Sequence, residues 1–266
     1  MVNFENKSKY GVYDLKKLIA VLRAPGGCPW DAEQTHESIR RNMLEEAYEV
    51  AEAIDEGSSE HLCEELGDVL TQVVFHSGIE EDAGRFDLDD VADMVCRKLI
   101  LRHPHVFADV TVSGSDEVLK NWDDIKRVEK SQNTVTDSLE AVAKSLPALW
   151  RAEKIQKKAA KAGFDWPDVW GAVDKLAEEL TELSDAISTE KGVKEELGDV
   201  LFSVVNVARF LGVDPEEALS ESCDKFTSRF SYVESEASKR GKILSEMTLE
   251  EMDGIYREGK ALSESK

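Results

Sequence analysis

The chain has 266 residues, of which 41% are hydrophobic and 33% charged, a balance that predicts a folded globular protein rather than a disordered one. Its formal net charge of -22 argues against nucleic acid or an anionic membrane as a partner, because both are bound largely through basic side chains. Few prolines and glycines interrupt the chain, so we expect an all-α fold. The cysteines lack a secretory or zinc-binding spacing, and we expect a cytoplasmic protein.

The first strongly patterned segment is MLEEAYEVAEAID at residues 43–55, which its apolar period predicts to be a helix. The loop signal DEGSSE separates it from a second helix that contains EELGDVL, so the two segments predict a helical hairpin. On the helical wheel, Glu46 and Glu49 border the apolar stripe of the first helix. Glu65 and Asp68 border the stripe of the second helix in the same way.

The apolar stripe of the first helix is expected to face the core. Its residues fall between roughly 40° and 160° from Glu46 on the wheel. They are Met43, Leu44, Ala47, Val50, Ala51 and Ile54. The outward Glu45 and Glu52 lie on the side where we expect solvent.

A basic pair and a domain boundary follow the first hairpin. Asp87 precedes a helical segment in which Lys98 and Arg102 lie one helical turn apart. The polar stretch SQNTVTDS comes after the helical segment EVLKNWDDIKRVEK and marks a boundary. The expected organisation is a first domain at residues 1–130, a linker at 131–138 and a second domain at 139–266.

The second half of the chain repeats the first. LAEELTELSDAIS matches the first acidic helix, and KEELGDVLFSVV matches CEELGDVLTQVV. Asp214 precedes Lys225 and Arg229 at the intervals that separate Asp87, Lys98 and Arg102. Three matched blocks in one order indicate an internal duplication, so the chain carries two similar helical domains. The second copy has its own four carboxylates beside an apolar stripe, namely Glu179, Glu182, Glu196 and Asp199.

These carboxylate sets favour a metal site. Two unit charges ~4 Å apart repel by about 4 kcal/mol at an effective dielectric near 20, so such a set needs protons, basic partners or bound cations. A ligand set made only of carboxylate oxygens suits Mg²⁺ or Mn²⁺. The alternative, a solvated acidic face, fits outward residues such as Glu64 and Glu178. It explains less well why the same pairs border the apolar stripe on two successive helices, twice.

Several other side chains are candidates for the substrate side of such a site. Trp30 and Trp166 are able to stack on a base, although tryptophan is more often a core or interface residue. Lys158 belongs to a basic run at helical spacing that suits either a phosphate-facing rim or a solvated face. Asn206 lies seven residues after Asp199 and shares its helix face.

The EExxE and ExxD motifs, present in both copies, resemble those of the MazG nucleoside triphosphate pyrophosphohydrolases. Further stretches such as GGCPWDAEQTHESI, RHPHVFAD and GFDW extend the resemblance to two-domain members over nearly the whole chain. The resemblance implies tandem helical-bundle domains of the all-α NTP pyrophosphatase type that assemble as a homodimer. It also implies Mg²⁺-dependent hydrolysis of an NTP or dNTP to the nucleoside monophosphate and pyrophosphate, with Mn²⁺ as a possible substitute.

The resemblance also assigns roles to residues. It implies two metal sites, formed by Glu46, Glu49, Glu65 and Asp68 in the first copy and by Glu179, Glu182, Glu196 and Asp199 in the second. It assigns the triphosphate to Lys225 and Arg229 and, through the repeat, to Lys98 and Arg102. In tandem members the second copy is often the working one, so its acids and its basic pair are the expected catalytic residues. The remaining alternative is a non-catalytic helical protein that binds nucleotides or cations as a scaffold.

Overall fold

The computed structural model describes residues 4–264 and, for the last two of these, only the backbone. Within that range every regular element is helical, which confirms the all-α prediction. The α-helices are α1 (Val12–Arg23), α2 (Pro29–Glu33), α3 (His36–Glu56), α4 (Ser59–Asp82), α5 (Leu88–Arg102), α6 (Pro104–Phe107), α7 (Ser115–Glu129), α8 (Val135–Glu140), α9 (Ala148–Lys161), α10 (Val169–Thr189), α11 (Val193–Leu211), α12 (Pro215–Lys239) and α13 (Leu249–Glu264). A short 3₁₀ helix at Leu244–Glu246 joins the last two. No helix in the described range combines the length and the apolar character needed to cross a membrane.

The chain forms two compact units that divide between Lys126 and Arg127, within α7. The division therefore falls shortly before residue 130, where the sequence analysis ends the first domain. The predicted linker at 131–138 is not irregular throughout, because α8 begins at Val135. Thr134 caps this helix by accepting a hydrogen bond from the backbone N–H of Asp137, whose carboxylate in turn accepts one from the N–H of Thr134. α8 packs against α9 and belongs to the second unit.

Both predicted hairpins are present. α3 packs along α4, and α10 packs along α11, more extensively than any other helix pairs do. Gly57 ends α3 in a left-handed conformation with φ +68°, which favours glycine, and Ser58 then caps α4 by accepting from the N–H of His61. The second hairpin turns through Glu190 and Gly192, which have positive φ values of 55° and 72°. In each unit one further helix lies on the second hairpin helix, α1 on α4 and α9 on α11.

Each unit has an apolar cluster. In the first unit, α1, α3, α4 and the start of α5 bury a cluster that consists of Ile19, Ile39, Val74, Phe75 and Leu88. In the second, α12, α13 and the segment between them bury Val233, Ala237, Met247 and Ile255. The first cluster includes residues of the α3–α4 hairpin, whereas the second lies between α12 and α13, and the α10–α11 hairpin is packed mainly by α9.

The predicted core stripe of α3 is rotated away from the observed inner face. Ile39 and Ala53 are buried, and Glu46 lies between them on the same face, whereas Leu44 and Ile54 of the predicted stripe are exposed. α10 shows the same rotation, because Glu179 is buried while Leu180 and Ile187 are 52% and 59% exposed. Both helices carry apolar residues over a wider sector than the neighbouring helices of one unit can cover. The helical wheel identifies this apolar sector, but it does not show which part of the sector is covered by other helices of the same unit.

The uncovered part of the second hairpin forms an exposed surface, called here the apolar flank. It consists of Leu180 and Ile187 on α10 with Leu197, Leu201 and Val204 on α11. Spacings of three, four and seven residues place these side chains along one line of each helix. Such a surface is unusual for a solvent-facing helix pair.

A polar cluster around the buried Glu80 joins the start of α3 to the end of α4 in the first unit. The carboxylate of Glu80 accepts hydrogen bonds from Arg85 and, at 2.5 Å, from Nε2 of His36. Nδ1 of His36 is 2.7 Å from Nδ1 of His76, so these two rings share a hydrogen bond. The hydrogen bonds from Arg85, and then that from His36, lower the pKa of Glu80 from its ordinary value of 4.5 to about 2.

We expect this cluster to make stability depend on pH. A carboxylate whose pKa is lower in the folded than in the unfolded chain stabilises the fold above the unfolded value, and this contribution is lost as pH falls from about 4.5 towards 2. Glu80→Gln should therefore lower the free energy of unfolding at pH 7, and the difference from wild type should shrink below pH 4.5. Urea unfolding of the two proteins at several pH values measures this. A difference that stays constant down to pH 3 would contradict the assignment.

Candidate functional site

The hairpin of the second unit gathers three of the four carboxylates predicted there. Glu179, Glu196 and Asp199 each offer one carboxylate oxygen, and the three oxygens lie within 4.8 Å of one another. Glu179 is only 6% exposed, so this group reaches from the helix interface to the surface. Glu182 lies outside the group, but it is electrostatically close to it. Loss of hydration raises the pKa of Glu182, and the charges of Glu179 and Glu196 raise it further.

The first unit shows a similar group. Oxygens of Glu46, Glu49 and Glu65 lie within 4.8 Å of one another, and Glu65 is 9% exposed. Here Asp68 is the member outside the group. Burial raises the pKa of Glu46, and the charge of Asp68 raises it further, as do the neighbouring carboxylates. The structure thus brings together three of the four predicted ligands in each copy, although the fourth differs between the copies.

Local geometry explains why these side chains meet. A spacing of three residues, as between Glu46 and Glu49 or between Glu196 and Asp199, places two carboxylates on one helix face. The tight turn of each hairpin then brings the first helix against the second, so that the two faces share a space.

Each group also has a basic neighbour that the sequence analysis missed. Nζ of Lys175 lies 2.7 Å from Glu178 and 2.8 Å from Glu179, and these hydrogen bonds raise the pKa of Lys175. In the first copy, Nε2 of His61 lies 3.1 Å from Glu65. A hydrogen bond to Glu56 raises the pKa of His61. The sequence contained a signal for both pairs, because a basic residue four positions before a glutamate on a helix can form an ion pair with it.

The predicted triphosphate-binding residues lie on the helices that follow the hairpins. Lys225 on α12 and Lys98 on α5 are exposed. The guanidinium of Arg229 lies over the ring of Tyr256, 5.9 Å from its centroid, and that of Arg102 lies over Trp122 at 5.3 Å. The repeat therefore extends to an aromatic partner for each arginine.

The sequence repeat did not reveal these aromatic partners, because their distance along the chain from the arginine differs between the two copies. Trp122 follows Arg102 by 20 residues, whereas Tyr256 follows Arg229 by 27. The cation–π contact has the same form in both units, and it leaves Arg102 only 8% exposed. Arg102 is therefore a largely buried residue, which the repeat alone did not indicate.

The remaining candidates have different surroundings. Trp30 and Trp166 are both exposed, as a base-stacking residue must be before its ligand arrives. Lys158 is half-buried on α9. Asn206 is half-buried on α11, and its Oδ1 accepts a hydrogen bond from Nε of Arg209 at 3.0 Å.

Comparison with known proteins agrees with this arrangement. The model of the MazG nucleotide pyrophosphohydrolase domain matches the chain twice, at residues 34–107 and 171–233. A nucleoside triphosphate pyrophosphohydrolase/pyrophosphatase MazG of Thermotoga maritima is 42% identical over 252 residues, which cover 95% of this chain and 96% of that protein. The chain belongs to the MazG family.

Two further relatives are similar to the chain. A nucleoside triphosphate pyrophosphohydrolase of Escherichia coli is 43% identical over 251 residues, which cover 92% of this chain and 95% of that protein. The YabN protein of Bacillus subtilis is 51% identical over 249 residues, and the chain spans half of its length. The two MazG segments include both carboxylate groups and both basic pairs, whereas Trp30, Lys158 and Trp166 lie outside them.

The donor set of each MazG hairpin fits a hard divalent cation. Oxygens bound to one Mg²⁺ at about 2.1 Å in an octahedron stand about 3.0 to 4.2 Å apart. The three oxygens within 4.8 Å of one another therefore need only small side-chain adjustments to share an ion. Burial is the first cause of the raised pKa values of Glu46 and Glu182, and the charges of neighbouring carboxylates, which a cation would offset, raise them further.

Proposed function

We propose that the chain is a Mg²⁺-dependent nucleoside triphosphate pyrophosphohydrolase, which converts an NTP or dNTP to the nucleoside monophosphate and pyrophosphate. The observation that carries the proposal is the group of three converging carboxylates on each hairpin of a MazG chain. Relatives from Thermotoga maritima and Escherichia coli, named for this activity, align over at least 95% of their own length. The proposal includes a cytoplasmic location, and a net charge of -22 supports the absence of a nucleic-acid partner.

In the second copy, Glu179, Glu196 and Asp199 would hold the ion. An ion held there would supply charge stabilisation at the phosphate and would lower the pKa of water. Glu182 stands beside the group with a raised pKa, which suits a carboxylate that orients the attacking water and accepts its proton. Lys225 and Arg229 neutralise charge that develops on the departing pyrophosphate.

The test of this function is a pyrophosphate-release assay with the full chain and Mg²⁺ across ordinary, deoxy and oxidised triphosphates. Release of one pyrophosphate for each monophosphate formed is the expected result, and the panel also identifies the preferred base and sugar. A chain that binds nucleotides without any turnover would favour the alternative, a helical scaffold whose carboxylates hold structural cations.

We propose in addition that the protein is a homodimer in which the apolar flank is covered. The flank exposes five apolar side chains on two adjacent helices, and contact with a second copy would remove them from water. The family resemblance implies the same assembly. The surface lies on the outer side of the hairpin that carries the second carboxylate group.

Introducing a charge into the flank is therefore expected to weaken the dimer. Light scattering should give about twice the chain mass of 29.7 kDa for the wild type at micromolar concentration, and about one chain mass for Leu201→Asp. Thr181→Asp is the matched control, since Thr181 is exposed about 100° further round α10 from Leu180. A wild-type protein of single-chain mass, or equal masses for the two variants, would argue against this interface.

A further inference from the structure

Arg209 makes a set of contacts that the catalytic scheme does not use. Its guanidinium donates two hydrogen bonds to the carboxylate of Asp165, at 3.0 and 2.5 Å, and its Nε donates to Oδ1 of Asn206 at 3.0 Å. The side chain is mostly buried and lies over the ring of Phe210. Asp165 belongs to the second tryptophan segment, residues 163–168, which leads from α9 to α10. Arg209 thus ties this segment to α11.

The first copy has no arginine at the matching position, which is Gly78. Instead the side chain of Arg23, from α1, lies beside Gly78. Nε of Arg23 lies 3.8 Å from the point that a Cβ on Gly78 would occupy, and the guanidinium lies 4.9 Å from the ring centroid of Phe75. Its Nη2 donates to the carboxylate of Asp82 at the end of α4 at 2.8 Å, and its Nη1 donates at 3.4 Å to the backbone carbonyl of Asp31, in the first tryptophan segment, residues 27–31.

The two copies carry this arginine on different helices. The EELGD blocks align Gly78 with Arg209, and the tryptophan segments align Arg23 with Ala159, because each lies seven residues before its tryptophan. One copy therefore has arginine on the first helix and glycine on the hairpin, while the other has alanine on the first helix and arginine on the hairpin. In both copies a guanidinium, supplied from a different helix in each, links the tryptophan segment to the second hairpin helix, which indicates that the fold requires this link.

We propose that this guanidinium is a positioning group for the nucleotide end of the site. In the second copy Arg209 holds the tryptophan segment against α11, and it thereby fixes Trp166 and Asn206 where the nucleoside part of the substrate lies. Arg23 has the corresponding task in the first copy. The inference rests on the proposed nucleotide function and extends it to the residues that orient the substrate. The planar fork of arginine suits this role, since it engages a carboxylate through two parallel hydrogen bonds.

The position of Trp166 fits this role. Its ring packs on the start of α10, where a Cβ on Gly171 would come within 3.0 Å of the indole. Gly171 precedes Glu179 by eight residues, which is about 12 Å along the helix axis. That separation is comparable with the length of a nucleoside triphosphate, so phosphates at the carboxylate group leave the base near Trp166. An exposed indole face at this distance is suited to stacking on a base.

The amide of Asn206 is oriented by the same guanidinium. A guanidinium nitrogen only donates hydrogen bonds, so the amide oxygen faces Arg209 and the NH₂ group is directed away from it. Asn206 therefore offers donors to a substrate oxygen on the face that it shares with Asp199. Without Arg209 the amide would lose this preference, and the tryptophan segment would lose its attachment to α11.

The experiment moves the arginine of the second copy from α11 to α9, the helix that matches its position in the first copy. Arg209→Gly is compared with Arg209→Lys and with the double variant Ala159→Arg/Arg209→Gly, which reproduces the first-copy pattern. Arg209→Gly should raise KM for the triphosphate about 10-fold with a much smaller change in kcat, and the double variant should recover most of the loss. Arg209→Lys should recover only part, because an ammonium cannot supply the fork.

Hydrogen exchange of the peptide that spans residues 163–168 provides a second measurement that does not depend on turnover. It should accelerate in Arg209→Gly and slow again in the double variant. Faster exchange with an unchanged KM would show a purely structural role and overturn the proposal, as would a failure of the second-site arginine to restore KM. If the wild type binds nucleotides without releasing pyrophosphate, the proposed function fails, and nucleotide affinity replaces KM in the same comparison.

Discussion

Glu196→Gln is expected to lower pyrophosphate release by about 10²-fold or more at saturating Mg²⁺. The substitution keeps the size and helical preference of the side chain, but it removes one negative charge from the group of three carboxylates. Residues that hold one ion act as a unit, so the loss of one disables the others as well. Circular dichroism on the same samples establishes that helicity is retained.

Two further variants locate the effect. Glu178→Gln should change turnover little, since Glu178 is exposed and is not one of the three converging carboxylates; it contacts the group only through Lys175, which it shares with Glu179. Glu65→Gln makes the equivalent change in the first copy and should have a smaller effect than Glu196→Gln if the second copy does most of the chemistry. An inactive Glu65 variant beside an active Glu196 variant would reverse that ranking. Full activity in both and in the double variant would mean that the carboxylates are solvated faces.

Periodicity and repetition explain why much of this site could be predicted from sequence. The apolar period located α3, α4, α10 and α11, because a helix of about 20 residues that packs on one side has a strong pattern. The duplication then distinguished Glu46 and Glu65 from other acids, since Glu179 and Glu196 recur at the same positions. Three members of each predicted set do converge.

The parts that could not be predicted depend on contacts between distant segments. The sequence shows that α10 has a wide apolar sector, but not that its own unit covers only the side with Glu179 and leaves Leu180 exposed. A comparison of the two copies at fixed intervals does not reveal that Arg23 takes the part of Arg209 in the first copy, because the matching positions hold different residue types. Only the fold shows that each side chain contacts the tryptophan segment of its own copy.

Removal of divalent metal is expected to abolish hydrolysis and to weaken nucleotide binding. Glu179, Glu196 and Asp199 carry three negative charges, and the single positive charge of Lys175 is shared with Glu178, so the group is strongly negative without an ion. A triphosphate is itself strongly anionic, and the two repel unless cations lie between them. Chelation should therefore affect affinity as well as turnover, in contrast to the loss of a group that acts only in the transition state.

Calorimetric titration of a non-hydrolysable triphosphate, with and without exhaustive chelation, separates these effects. Binding should require Mg²⁺ or Mn²⁺, and added metal should restore both binding and pyrophosphate release. Glu196→Gln is an informative partner in this titration. It makes the group without metal less negative and so reduces the repulsion, yet it should still bind nucleotide weakly, because the two remaining carboxylates would hold the ion less well. If chelated wild type binds and hydrolyses the triphosphate as well as the metal-loaded protein, the carboxylate groups are not metal sites.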